Sequence, residues 1–169
     1  MPKDHGIGAS SKRREDVRFL TGDGNYTDDI NIAGQTYVHF LRSDVAHGII
    51  TNIDSSAAEA MDGVLRVFTS KDFEAVGGIP CGWQVTDKFG EPMQEPKHPV
   101  LAEGKVRYVG DPIAAVVAET PELARDAAEA IVVDIDELPA VVDMKAARAD
   151  GATKVQDELT STRCSGWGV

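Results

Sequence analysis

The sequence predicts an α+β fold, built on a mixed, mainly antiparallel sheet with short helices. Two observations lead there. Strand-like apolar runs and short helical segments alternate without the regular strand–helix–strand spacing of a doubly wound parallel sheet. Tight turns rich in Gly, Asp and Asn join neighbouring segments, most clearly Gly110-Asp111 between two apolar runs.

Residues 1–12 read as a flexible lead-in, with Gly6, Gly8, Ser10 and Ser11 offering little to bury. The stretch 13–29, RREDVRFLTGDGNYTDD, combines charged pairs with an apolar grip of Val17, Phe19 and Leu20. It fits neither a regular helix nor a strand pattern, and its Gly22-Asp23-Gly24-Asn25 segment reads as a turn, because glycine and asparagine tolerate positive φ. Residues 36–43 read as a strand with two partly apolar faces, hence a central one, and residues 48–53 as a second. Ser56 and Glu59 have capping-box spacing ahead of Ala57, Ala58, Ala60 and Met61, and Asp62-Gly63 stops that short helix.

Residues 64–69, VLRVFT, form the third predicted strand, and Ser70 is placed to cap a short helix reaching Val76. The Gly-, Pro- and Asp-rich stretch 77–97 has no periodicity and reads as a long loop of the kind that often carries function. Residues 105–109 and 112–118 predict a hairpin or tight strand-to-strand turn about Gly110-Asp111. Thr120 is placed to cap a helix with Pro121 in its first turn and Leu123, Ala124, Ala127, Ala128 and Ile131 on one stripe. Residues 132–135 predict a further strand and 139–142 another, after which the chain turns alanine-rich, charged and polar.

Composition narrows the function. The chain has 169 residues, the size of one domain, and 28 acidic against 17 basic residues give a net charge of −11. Such a charge opposes nucleic acid and anionic lipid, and an aromatic content of 6% gives little for base stacking. No apolar run is long enough to span a bilayer, and no signal-peptide layout opens the chain, so a cytoplasmic protein is expected. Cys81 and Cys164 form neither a C-x-x-C pair nor a disulfide framework and read as free thiols.

The chemical motifs weigh out on the structural side. Asp23, Asn25 and Thr27 hint at a calcium loop, but Asp28 stands where glycine is needed and Gly34 where a bidentate glutamate is needed. Gly6-x-Gly8 and Gly22-x-Gly24 lack the third glycine and the preceding strand of a phosphate cradle. His5, His39, His47 and His98 show no metal-ligand spacing; His39 and His47 read as structural. Cys81 followed by His98 could form a nucleophile pair, but no third group stands at an orienting distance. Asp134, Asp136 and Glu137 read as a solvated strand end. The charges of Arg13, Glu15, Asp16 and Arg18 suit paired docking onto another domain or subunit, set against a plain exposed charge run.

The 13–29 stretch resembles the N-terminal signature of the molybdenum hydroxylase large subunits, the xanthine dehydrogenase and aldehyde oxidase group. Three further blocks strengthen the resemblance. They are RSDVAHGII at 42–50 with Ile53-Asp54; Gly63-Val64 with Val67-Phe68-Thr69; and residues 98–143, including VRYVGDPIAAVVAET and DELPAVVD. The loop GIPCGWQV at 78–85, with Pro96 and His98-Pro99, is similar to the aerobic carbon monoxide dehydrogenase branch in particular.

The resemblance implies an α/β hammerhead domain over 13–143, with 144–169 as a link toward a molybdenum-binding domain of the same large subunit. Asp157-Glu158-Leu159, Arg163-Cys164 and Trp167-Gly168-Val169 look like that link. A complete enzyme of this kind would hold molybdenum on a molybdopterin cytosine dinucleotide, with copper in the carbon monoxide branch. Iron–sulfur and FAD subunits would be its partners, and a homo-oligomer is compatible with it. Its reaction would be a hydroxylation or oxidation with water as oxygen donor, CO and water giving CO2 in that branch. No catalytic, cofactor-binding or metal-binding residue of the family falls on this sequence, so the chain itself is expected to be inactive. Two rivals remain: a stand-alone assembly module, and a small thiol enzyme using Cys81.

Overall fold

The computed structural model describes residues 6–9 and 12–159. It divides into two compact units, Met1–Gln35 and Thr36–Val169. Among its described residues, the smaller unit holds a one-turn helix α1 (Asp16–Leu20) and a 3-10 turn (Thr27–Asp29). That helix is an addition to the sequence reading, which expected no regular element there. Gly22 follows it with φ +81°, and Thr21 Oγ1 donates to Asp23 Oδ2 at 2.8 Å, so the expected turn is present.

Among the described residues, the larger unit holds six strands: β1 (Tyr37–Arg42), β2 (Gly48–Asp54), β3 (Val64–Phe68), β4 (Lys105–Val106), β5 (Pro112–Ala118) and β6 (Val132–Glu137). They form two three-stranded sheets, β1-β5-β3 and β4-β2-β6, and every pairing is antiparallel. The α+β class and the antiparallel character therefore hold, divided over two sheets. The α-helices of this unit among the described residues are α2 (Ser56–Glu59) and α3 (Pro121–Glu129), which packs on β1 and β5.

Four local expectations are corrected. β1 is an edge strand; the central place belongs to β5, whose small buried residues Ala114 and Ala118 lie on the face that α3 covers. Residues 105–109 and 112–118 do not pair as a hairpin. The turn between them is fixed to the end of β1 instead: Ser43 N donates to Asp111 O at 2.9 Å and Gly110 N to Ser43 O at 2.7 Å, sending β4 and β5 into different sheets. Residues 139–142 form no strand; Pro139, lacking an N–H, ends the ladder by offering its carbonyl to His47. The capping of α2 is shifted by one or two residues: Asp54 Oδ1 accepts from Ser56 N at 3.0 Å, and Ser55 Oγ donates to Glu59 Oε1 at 2.6 Å.

Other caps fall close to expectation. Thr120 Oγ1 accepts from Leu123 N at 3.1 Å, with Pro121 opening the helix, and the face of α3 carrying Ala124, Ala127 and Ala128 is buried. The segment Ser70–Val76 is 3-10 rather than α, with Thr69 as its cap: Thr69 N donates to Asp72 Oδ2 at 2.8 Å. The core has two parts. Ala58, Val67, Ala114, Val116, Ala127, Ala128 and Ile131 fill the space between the first sheet and the helices; Ala102, Val106 and Ile113 form the second cluster. Ile53 and Val133 pack into both, joining them.

Candidate functional site

The larger unit's most distinctive surface lies on the outer face of the β1-β5-β3 sheet. Side chains alternate along a strand, so the inward row of Tyr37, His39 and Leu41 leaves Val38, Phe40 and Arg42 outward. Across the sheet, Phe40 and Phe68 both pair in register with Ala115, and Val38 pairs with Val117. Two arginines reach over the two phenylalanines. The Arg42 guanidinium lies 5.6 Å from the Phe40 ring centre, and Arg66 lies 5.5 Å from that of Phe68. Each is anchored at its head: Arg42 Nη1 donates to Gly110 O at 2.9 Å, and Arg66 Nη2 to Asp72 Oδ1 at 3.1 Å. The result is a shallow apolar strip over Ala115, flanked by fixed cations. Sequence reading missed it, although Phe40-x-Arg42 and Arg66-x-Phe68 carry the period-two signal that places each pair on one strand face.

Asp72 is held below the ordinary carboxylate value of 3.8, first by the Thr69 amide and then by Arg66. Arg66 thus keeps an ionised partner at neutral pH, which holds its plane beside Phe68.

The predicted loop is irregular, as expected, but not featureless. Thr86 and Pro92 form an isolated bridge, Met93 N donates to Val85 O at 2.9 Å, and Asp87 Oδ1 accepts from Phe89 N at 2.7 Å and Glu91 N at 3.0 Å. This closes a small hairpin that leaves Phe89 76% exposed, with Trp83 80% exposed nearby in sequence. Aromatic rings held outward on a fixed backbone are the usual anchors of protein interfaces.

Cys81 sits in this loop with its thiol donating to Trp83 O at 3.3 Å and its amide to Glu95 Oε1 at 2.8 Å. His98 is exposed and joins Ile79 through its backbone carbonyl. The loop therefore does not build the Cys–His pair weighed from the sequence. His39 is half-buried on β1, and His5 lies outside the described residues, as do Cys164 and Trp167.

In the smaller unit, Arg13 Nε pairs with Asp16 Oδ1 at 3.1 Å, and Arg18 lies 5.0 Å from the Phe19 ring centre. Phe19 stacks on Tyr26 at 5.3 Å, while Val17 and Leu20 stand 71% and 87% exposed. Arg13 and Arg18 thus have partners within the unit, while Val17 and Leu20 leave apolar side chains exposed on α1.

A polar cluster closes one end of the second sheet. His47 is 2% exposed and its Nδ1 donates to Pro139 O at 2.9 Å. Buried Asp111 accepts from Arg107 N at 2.9 Å, and Lys105 Nζ pairs with Asp157 Oδ2 at 2.5 Å. Asp157 is held below 3.8, chiefly by its bond to Lys105 and further by the charges of Lys105 and Arg107. Tyr108 is pushed above 10.0 by burial and by the neighbouring Asp111.

Among the described residues, no three His, Cys, Asp or Glu side chains converge on a point that could hold a metal. No helix among the described residues is long and apolar enough to cross a membrane.

Comparison with known proteins agrees with this picture. Residues 21–139 match the pattern of the aldehyde oxidase and xanthine dehydrogenase a/b hammerhead domain. The nicotine 6-hydroxylase large subunit of Paenarthrobacter nicotinovorans is 42% identical over 137 residues, covering 81% of this chain and 16% of that protein. Among solved structures, a Cu,Mo-CO dehydrogenase superposes with a TM-score of 0.74 at 32% identity, over 95% of this chain and 19% of its own. Quinoline 2-oxidoreductase from Pseudomonas putida 86 does so with a TM-score of 0.76 at 37% identity, over 98% and 20%. The chain thus spans about a sixth to a fifth of the length of the relatives it matches. With the greater part of its length matching that pattern, the chain belongs to the a/b hammerhead domain family of the aldehyde oxidase and xanthine dehydrogenase oxidoreductases.

Proposed function

We propose that this chain is the non-catalytic hammerhead region of a molybdenum hydroxylase large subunit, and that its own work is to present packing surface. The observation that carries this reading is the Phe40–Ala115–Phe68 strip with Arg42 and Arg66 held over it. A strip of rings and guanidinium planes, fixed by anchored heads, suits a protein surface that brings apolar groups and carboxylates together. The remainder of the same large subunit is the occupant, with iron–sulfur and FAD subunits beyond it in a cytoplasmic complex. The division is 1–12 as lead-in, 13–143 as hammerhead and 144–169 as link.

For the whole enzyme, carbon monoxide is one substrate, supported by the likeness to the Cu,Mo-CO dehydrogenase and by the 78–85 loop. The likeness to a nicotine hydroxylase and a quinoline oxidoreductase, at 42% and 37% identity, favours an N-heterocycle as the second reading.

The test is to isolate the protein from its native cells with an antibody to these residues, then measure intact mass, metal content and dye-linked oxidation. A chain well above 18.1 kDa that co-purifies with molybdenum is expected, and oxidation of CO or of an N-heterocycle then decides between the substrates. A native chain of 18.1 kDa would overturn the reading in favour of a free-standing module.

A further inference from the structure

We propose that His47, Arg107 and Gln156 enclose a site for one neutral hydrogen-bonding molecule, a buried water, which ties the 156–157 segment to the β4-β2-β6 sheet. Three side-chain atoms carry the inference: His47 Nε2, Arg107 Nε and Gln156 Oε1 are all buried, and none has a hydrogen-bond partner among the described residues. Buried polar atoms of native proteins are nearly always satisfied, by protein or by ordered water.

The three belong to one place. Gly48 and Ile49 pair with Val106 and Lys105, so His47 and Arg107 continue that antiparallel register by one step, on the same face. Lys105 holds Asp157, the neighbour of Gln156, and the charge of Arg107 acts on that carboxylate. The segment carrying Gln156 is therefore laid against the end of the sheet where the other two atoms lie.

Their chemistry selects the ligand. His47 spends its Nδ1 proton on Pro139 O, and in the tautomer that this bond selects Nε2 carries a lone pair. Gln156 Oε1 offers a second acceptor, and Arg107 Nε–H is a donor, its Nη1 being engaged on Lys105 O at 3.2 Å. Two acceptors and one donor match a water that gives both its protons and takes one, the usual three bonds of a buried water. A metal ion would face the guanidinium, and an anion would face two lone pairs.

The test is water-selective magnetisation transfer by NMR on the full, isotope-labelled chain. The expected result is a cross-peak from a long-lived water to the Arg107 Nε–H proton. In H47F that cross-peak disappears, and exchange of the Arg107 Nε–H with solvent accelerates on the order of tenfold. Absence of the cross-peak in the unaltered protein overturns the proposal, as does a through-bond coupling from Arg107 Nε–H to His47 Nε2. Should H47F not fold, the unaltered protein's spectrum decides alone.

Discussion

His47 and Pro139 are joined across 92 residues of sequence, the imidazole Nδ1 donating to the proline carbonyl at 2.9 Å. One step earlier, Leu138 N donates to His47 O at 2.8 Å. The pair thus extends the β2–β6 ladder past its last strand residues and fixes where β6 is released. Replacing His47 by alanine removes the buried donor and strands the carbonyl. We expect H47A to lower the unfolding free energy by about 1–3 kcal/mol. Urea unfolding of the two proteins measures it, and a difference under about 0.5 kcal/mol would mean the bond is incidental.

The cap of α3 makes a cleaner prediction, because Thr120 is exposed and removing its hydroxyl leaves no cavity. T120A loses the bond to Leu123 N and should cost about 1 kcal/mol, whereas T120S keeps the oxygen and most of the stability. Thermal unfolding of both variants separates capping from packing. Equal losses in the two would point to the Thr120 methyl group instead.

Two glycines with ordinary backbone angles should respond in opposite ways. A Cβ at Gly48 would run into the Ile135 side chain and lie 3.0 Å from Asp136 O, so G48A should cost about 1–3 kcal/mol by overpacking. At Gly82 nothing lies within 4 Å, and G82A should leave unfolding within about 0.5 kcal/mol of the parent. Chemical denaturation of the pair checks both.

Acid and base should act through different groups. Asp54, Asp72 and Asp157 are all held below 3.8 in the fold, Asp54 by Ser56, Asp72 first by the Thr69 amide and Asp157 first by Lys105. Their stabilising contribution is complete above 3.8 and is lost as pH falls through their lower folded values. Tyr108 is raised above 10.0, so its contribution is complete below 10.0 and is lost as pH climbs toward the folded value. A stability–pH curve should therefore fall at both ends. D72N should flatten the acid limb and Y108F the alkaline one, and curves unchanged by either variant would count against these assignments.

Much of this was legible from residues alone. The stripe of α3, its threonine cap and the span of β5 follow from spacing that a helix and a strand each impose. Partners were harder to read. Residues 105–109 and 112–118 look like the arms of a hairpin, because sequence shows the turn but not Ser43, whose two backbone bonds hold that turn to another strand end. β1 looks central because Val38 and Phe40 are apolar; that its outward face stands open in this unit depends on strand order, which periodicity does not encode. The polar cluster at His47 escaped for the same reason, since its members lie up to 110 positions apart, from His47 to Asp157, and meet only through pairing.

The place of β5 has a consequence for how this region can be inherited. Ala114 and Val116 wall one interior while Ile113 walls the other, and Ile53 and Val133 reach into both. A recombination break within this strand would strip both interiors at once, so neither sheet could be carried into a new protein without the other. Descent should keep the larger unit whole, with change accumulating in its outward loops.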